Sequence, residues 1–144
     1  LKFVLNNSQA GKEAQDYLKT KFNKNAKQFT EMEKKLKKEE SDLLESKTSI
    51  SKEEYTKKSD NLRKKVIDYQ SERRASLDDL AKQRLNARET LIKKLTPLID
   101  SHINENSISL VIDKQFMLGG MKGFDITSVI IEKLNKEIPS LNLK

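Results

Sequence analysis

Lys47-Thr48-Ser49-Ile50-Ser51-Lys52-Glu53-Glu54 is the break between two halves of a mirror. On its N-terminal side, Phe22, Phe29, Leu36 and Leu43 recur every seven positions. On its C-terminal side they are answered in reverse by Ser76, Tyr69, Leu62 and Tyr55, and each pair of numbers sums to 98. A second set keeps the same sum: Leu18 with Leu80, Asn25 with Arg73, Met32 with Val66, Glu39 with Ser59. Two helices folded back at residue 49 produce this symmetry, each burying one stripe in antiparallel layers and leaving the rest in water. The break carries its own start signal. Ser51 can accept from the amide of Glu54 while Glu54 reaches back, and Glu53 and Glu54 suit a helix N-terminus.

Working outward, the first helix is predicted from about Ser8 to Ser46, on the order of 60 Å at 1.5 Å per residue. Asn6, Asn7 or Ser8 is placed to cap it. Residues 1–7 read as a short apolar lead-in. The second helix is predicted from about Lys52 to Asn104, with Pro97 expected to interrupt and kink it. Polar layers at Asn25/Arg73, Glu39/Ser59 and Phe22/Ser76 fix register at a cost in stability and predict a soft hairpin. Beyond Asn104 the period changes. Ile108 to Asp113 is short and β-branched and predicts a strand; Gln115 to Leu118 predicts a second, across a tight turn at Asp113-Lys114. Gly119, Gly120 and Gly123 mark a loop. Asp125-Ile126-Thr127 opens a final helix carrying Val129, Ile130, Ile131 and Leu134, ended by Pro139. The expected division is a helical-hairpin arm over 8–90 with its tip near 47–51, and a small α/β oligomerisation body from 1–7 and 91–144.

Composition agrees with long, thin helices. Of the 144 residues, 35% are hydrophobic and 35% charged, with no Trp. That is lean for a compact globule, yet too periodic for disorder. A thin hairpin buries little surface per residue, so association with further copies is expected. The net charge of +7 favours polyanions: nucleic acid, anionic lipid or acidic polypeptide. No apolar run approaches the roughly 18 residues that span a bilayer. The chain starts at Leu1 without Met, which agrees with a leader already removed.

Catalytic patterns are absent. The single His, His102, has no Cys nearby with which to hold zinc. Gly119-Gly120-Met121-Lys122-Gly123 lacks phosphate-loop spacing and reads as a turn. No metal, cofactor or active site is expected. Lys34, Lys35, Lys37 and Lys38, with Lys57, Lys58, Arg63, Lys64 and Lys65, form basic clusters on the outer half of the hairpin. Interleaved carboxylates make them a solvated surface of small energetic worth. Nucleic-acid readers show denser basic faces, so nucleic acid is not expected as a partner.

The order of segments resembles a known family. Val4-Leu5-Asn6-Asn7-Ser8-Gln9-Ala10-Gly11-Lys12, the Leu95-to-Ile99 segment with its Pro, Ile108-Ser109-Leu110-Val111-Ile112-Asp113-Lys114, and Phe124-Asp125-Ile126-Thr127 leading to Lys133-Leu134-Asn135-Lys136 together resemble the Skp/OmpH periplasmic chaperones. The resemblance implies a mainly α protein: a long antiparallel helical hairpin projecting from a trimeric β-sheet body, with unfolded outer-membrane β-barrel proteins held between the arms without ATP. It also implies a β-strand ahead of the Val-Leu segment; this sequence begins after that position, and the native protein is expected to carry the strand. Some members are proposed to bind lipopolysaccharide through the second helix. Lys82, Arg84 and Arg88 lie in that region but do not match residue for residue, so anionic lipid or lipopolysaccharide stays an open partner.

The expected function is therefore that of a periplasmic holdase and not an enzyme. Basic charge would speed encounter with acidic clients. Partly exposed apolar side chains near the seam, Phe22, Phe29, Met32 and Leu36, would give many weak contacts, although the same four side chains also serve the seam. A structural coiled-coil tether, or a basic nucleic-acid or anionic-lipid surface binder, remains the alternative.

Overall fold

The computed structural model describes residues 1–143. Its α-helices are α1 (Lys2–Asn7), α2 (Gln9–Glu45), α3 (Lys52–Glu105) and α4 (Thr127–Glu137), with single 3-10 turns at Ser46–Thr48, Lys114–Phe116 and Lys122–Phe124. Two compact units divide the chain: residues 20–81, and residues 1–19 with the chain from Lys82 onward.

In the second of these, the first seven residues are a helical turn and not a simple lead-in. Ser8 then leaves helical geometry (φ −64°, ψ 154°), which separates α1 from α2. Its buried hydroxyl donates to the Leu5 carbonyl at 2.9 Å and accepts from the Gly11 amide at 3.1 Å, so Ser8 caps α2. The corner is so tight that a β-carbon on Gly11 would sit 1.8 Å from the Leu5 carbonyl oxygen. It drives Leu5 into a core with Ala10, Leu91, Leu95, Ile130 and Leu134. Polar ties reinforce the packing of α4. Asn135 Oδ1 accepts from the Gln9 amide at 2.7 Å, while Lys94 pairs with Glu137 at 3.1 Å and Lys133 with Glu105 at 2.7 Å. Asp125 accepts from the Thr127 amide at 3.1 Å in a turn that leads into this helix, whose N-cap position is held by Ile126.

Pro97 does not interrupt α3, which continues to Glu105. The missing Pro N–H frees the Lys93 carbonyl, and Pro97 lies on the exposed side where water can reach it. The helix ends instead at a turn the sequence hides. Ser107 adopts φ 51°, the Ile108 amide donates back to the Ile103 carbonyl at 3.0 Å, and the Ser107 amide to Asn104 at 3.5 Å. That is a Schellman cap with Ser in the place Gly usually takes. The buried His102 belongs to the same terminus, its Nδ1 3.1 Å from Asn106 Nδ2.

The expected strands, and with them the β-sheet body, are not present: the described residues contain no strand. Residues 108–113 run without ladder partners, and 114–116 form a turn capped by Asp113, whose carboxylate accepts from the Gln115 amide at 3.2 Å. A β-branched run makes a strand only where another strand satisfies its N–H and C=O groups, and nothing in the described chain does so. The apolar side chains of this stretch face water instead. Phe116 is 75% and Phe124 74% exposed, and Leu110, Met117, Leu118 and Met121 are exposed with them.

Candidate functional site

The unit of residues 20–81 is the antiparallel helix pair. Ser51 caps α3 as its spacing predicts, accepting from the Glu54 amide at 3.1 Å. The capping box is only half made, because the Glu54 carboxylate turns to Lys58 at 2.9 Å. The fold-back at Ser46–Thr48 sets the register. Phe29 meets Tyr69 edge to face, ring centroids 6.0 Å apart at 71°, a favourable aromatic geometry and the pairing the mirror predicts.

One polar layer departs from prediction. Asn25 pairs not with Arg73 but with Ser76, at 2.6 Å. Two short polar side chains fit the seam, where a guanidinium would have to be stripped of water. Arg73 is thereby left exposed at the side. Its charge reaches Glu33, yet among the described residues it makes no ion pair within 4 Å. With Ser76 taken by Asn25, Phe22 lacks a seam partner and is 51% exposed.

The two flanks of the seam differ. On one, Lys21 bridges to Asp79 at 2.9 Å. On the other, the seam opens into a cleft of about 170 Å³ whose walls are Phe22, Ala26, Phe29, Tyr69, Leu77 and Leu80, with Glu33 and Arg73 at its rim. Glu33 is already engaged. The Lys37 ammonium, 2.8 Å away, holds its carboxyl below the ordinary value, with smaller help from Arg73 and the Tyr69 hydroxyl.

Of the four apolar residues singled out in the sequence, Phe22 and Phe29 line this cleft, and Met32 and Leu36 are half-buried and do not line it. Leu77 is 49% exposed and was missed, because it lies off the seven-residue stripe. Ala26 and Arg73 were missed as cleft residues as well. Arg73 was expected in the seam opposite Asn25, and it lines the cleft because Ser76 holds that place. The basic clusters divide. Lys34 pairs with Glu31, Lys37 with Glu33, Lys58 with Glu54, Arg63 with Asp60 and Lys65 with Glu39. Lys35, Lys38, Lys57 and Lys64 make no ion pair among the described residues. No group of His, Cys, Asp and Glu fit for a metal occurs among them, and none of their helices is long and apolar enough to cross a membrane.

This arrangement offers contact surface. Comparison with known proteins gives the chain a family. The signature described as outer membrane protein (OmpH-like) matches residues 1–134. The chain belongs to the OmpH-like family. No curated protein matches it. A crystal structure of a candidate outer membrane chaperone (OmpH-like) from Caulobacter crescentus CB15 is similar in fold: TM-score 0.88, 19% sequence identity, 98% of this chain and 83% of that chain covered. At that identity the likeness speaks for the fold of this OmpH-like chain. Family membership rests on the signature itself, which includes the Ser8–Gly11 corner, the whole of α2 and α3, and most of α4.

Proposed function

We propose that this OmpH-like chain is an ATP-independent periplasmic holdase chaperone for unfolded outer-membrane β-barrel proteins. Residues 8–90 act as the gripping arm, with the tip near 47–51. Residues 1–7 and 91–144 join copies into a homotrimer, using the exposed apolar stretch between Leu110 and Phe124 as the assembly surface. The observation that carries the reading is the combination of OmpH-like membership with a helix pair whose seam leaves Phe22 and Leu77 half in water.

Binding follows from weak terms. Each exposed apolar side chain supplies at most about 1.5–3 kcal/mol on full burial, so one contact cannot trap a client, whereas several together can hold it. Phe22 and Phe29 are the anchors. Met32 and Leu36 contribute only where the seam opens. The unpaired Lys35, Lys38, Lys57 and Lys64 draw acidic clients and lose that pull as salt rises. The same four lysines support a second reading, a surface for anionic lipid or lipopolysaccharide.

The deciding experiment is aggregation of a urea-unfolded β-barrel protein on dilution. Suppression at one trimer per client, without nucleotide, is expected. Unchanged aggregation at that ratio overturns the chaperone reading. Binding to anionic vesicles with a steep salt dependence, and no effect on aggregation, favours the lipid reading.

A further inference from the structure

The open flank carries two features: a cleft with aromatic walls, and a guanidinium that makes no ion pair among the described residues. The cleft volume of about 170 Å³ is close to the roughly 150 Å³ at which an apolar protein cavity accepts benzene, so the cleft has room for one aromatic ring. Phe29 and Tyr69 already stand edge to face, and an entering ring extends that geometry. Asn25 Nδ2 donates to Ser76 Oγ at 2.6 Å, so a ring beside this layer leaves that hydrogen bond in place. At the rim, Glu33 is taken by Lys37 at 2.8 Å, whereas Arg73 keeps five N–H donors for a visitor. The opposite flank offers no such seat, being bridged by Lys21 and Asp79.

We propose that this cleft seats one aromatic side chain lying beside a carboxylate in an unfolded polypeptide, with Phe22, Phe29, Tyr69 and Leu77 as walls and Arg73 as the partner of the carboxylate. The inference rests on the holdase reading and deepens it, since it names the client feature that the arm grips. Barrel proteins carry girdles of aromatic residues at both membrane interfaces, so an unfolded one presents such rings repeatedly along its length. Seating one ring at a time allows the client to move between copies of the cleft without release of the whole chain.

The test is an amide-shift titration of the ¹⁵N-labelled full chain with four probes. N-acetylphenylalanine carries ring and carboxylate, its amide the ring alone, N-acetylleucine the carboxylate without the ring, and acetamide neither. Saturable shifts at Ala26, Phe29, Arg73 and Leu77 are expected with the first, roughly two- to fivefold tighter than with the ring-only probe, the range an exposed charge pair supplies. Arg73→Gln should erase that difference while leaving the weaker ring binding intact. Ala26→Leu, which fills the cleft, should abolish both. Equal affinity for all probes, shifts that never saturate, shifts centred on residues 108–124, or an Arg73→Gln variant that keeps the preference would each overturn the inference. Aggregation of the unfolded barrel protein is measured alongside. Suppression without cleft shifts sinks this inference alone, and loss of suppression with cleft shifts intact sinks the holdase reading alone.

Discussion

Ser107 holds a conformation that a side chain resists. At φ 51° its β-carbon crowds the backbone, and only the two Schellman hydrogen bonds keep it there. Ser107→Gly removes the crowding and should stabilise the protein by about 0.5–1 kcal/mol, read as a rise in denaturation midpoint with unchanged slope. Gly11 is the opposite case. Gly11→Ala puts a methyl 1.8 Å from the Leu5 carbonyl oxygen and should cost about 1–3 kcal/mol in the same measurement, because backbone and not a flexible side chain must give way. Asp125 carries a pH signature. The Lys114 ammonium at 2.6 Å, and after it the Thr127 hydroxyl and amide, hold its carboxyl well below the usual carboxylate range. A depressed folded value means the stabilisation is fully present above the unfolded value and is lost as pH falls through the folded one. The stability gap between the native chain and Asp125→Asn should therefore be constant at neutral pH and close in strong acid. A gap that widened on acidification would contradict the pairing.

At the scale of elements, the helix pair holds one polar layer that an apolar pair would replace at gain. Removing both Asn25 and Ser76 leaves no orphaned partner, so the double variant Asn25→Leu with Ser76→Leu should unfold at higher temperature than the native chain. Hydrogen exchange should slow with it around residues 20–30 and 70–80; uniformly slow exchange in the native chain would remove the expectation of a soft hairpin. Much of this element was legible beforehand. Phe29 and Tyr69 share a register because a seven-residue repeat on both sides of Ser49 leaves few other ways to bury the stripe. Ser51 is legible because a cap is a local event. Ile108 to Ile112 misled for the opposite reason: β-branching reports a preference for extended backbone, while a strand exists only if something pairs with it. The Ser8–Gly11 corner was hidden because a glycine in a helical stretch looks like a weak helix former until the backbone it must admit is seen. Leu77 escaped notice because periodicity finds the residues that face a partner helix, and Arg73 was misplaced in the seam because periodicity does not weigh the cost of stripping a guanidinium of water.

For the whole molecule, the stretch from Leu110 to Phe124 is the dominant apolar exposure, with Phe116 and Phe124 each about three-quarters in water. Contiguous exposure of this kind marks an interaction surface. Replacing Leu110, Phe116 and Phe124 together by Ser should convert the proposed trimer to single chains by light scattering, with helix content unchanged by circular dichroism. A trimeric mass in that variant would place assembly elsewhere. The unlike flanks of the seam then have a geometric consequence. A helix pair bridged by Lys21 and Asp79 on one flank and hollow on the other is asymmetric, and copies related by a rotation axis repeat that asymmetry in the same sense. In the proposed homotrimer all the hollows therefore stand in equivalent positions about the axis, and a spin label on Ala26 would report their separation through one distance.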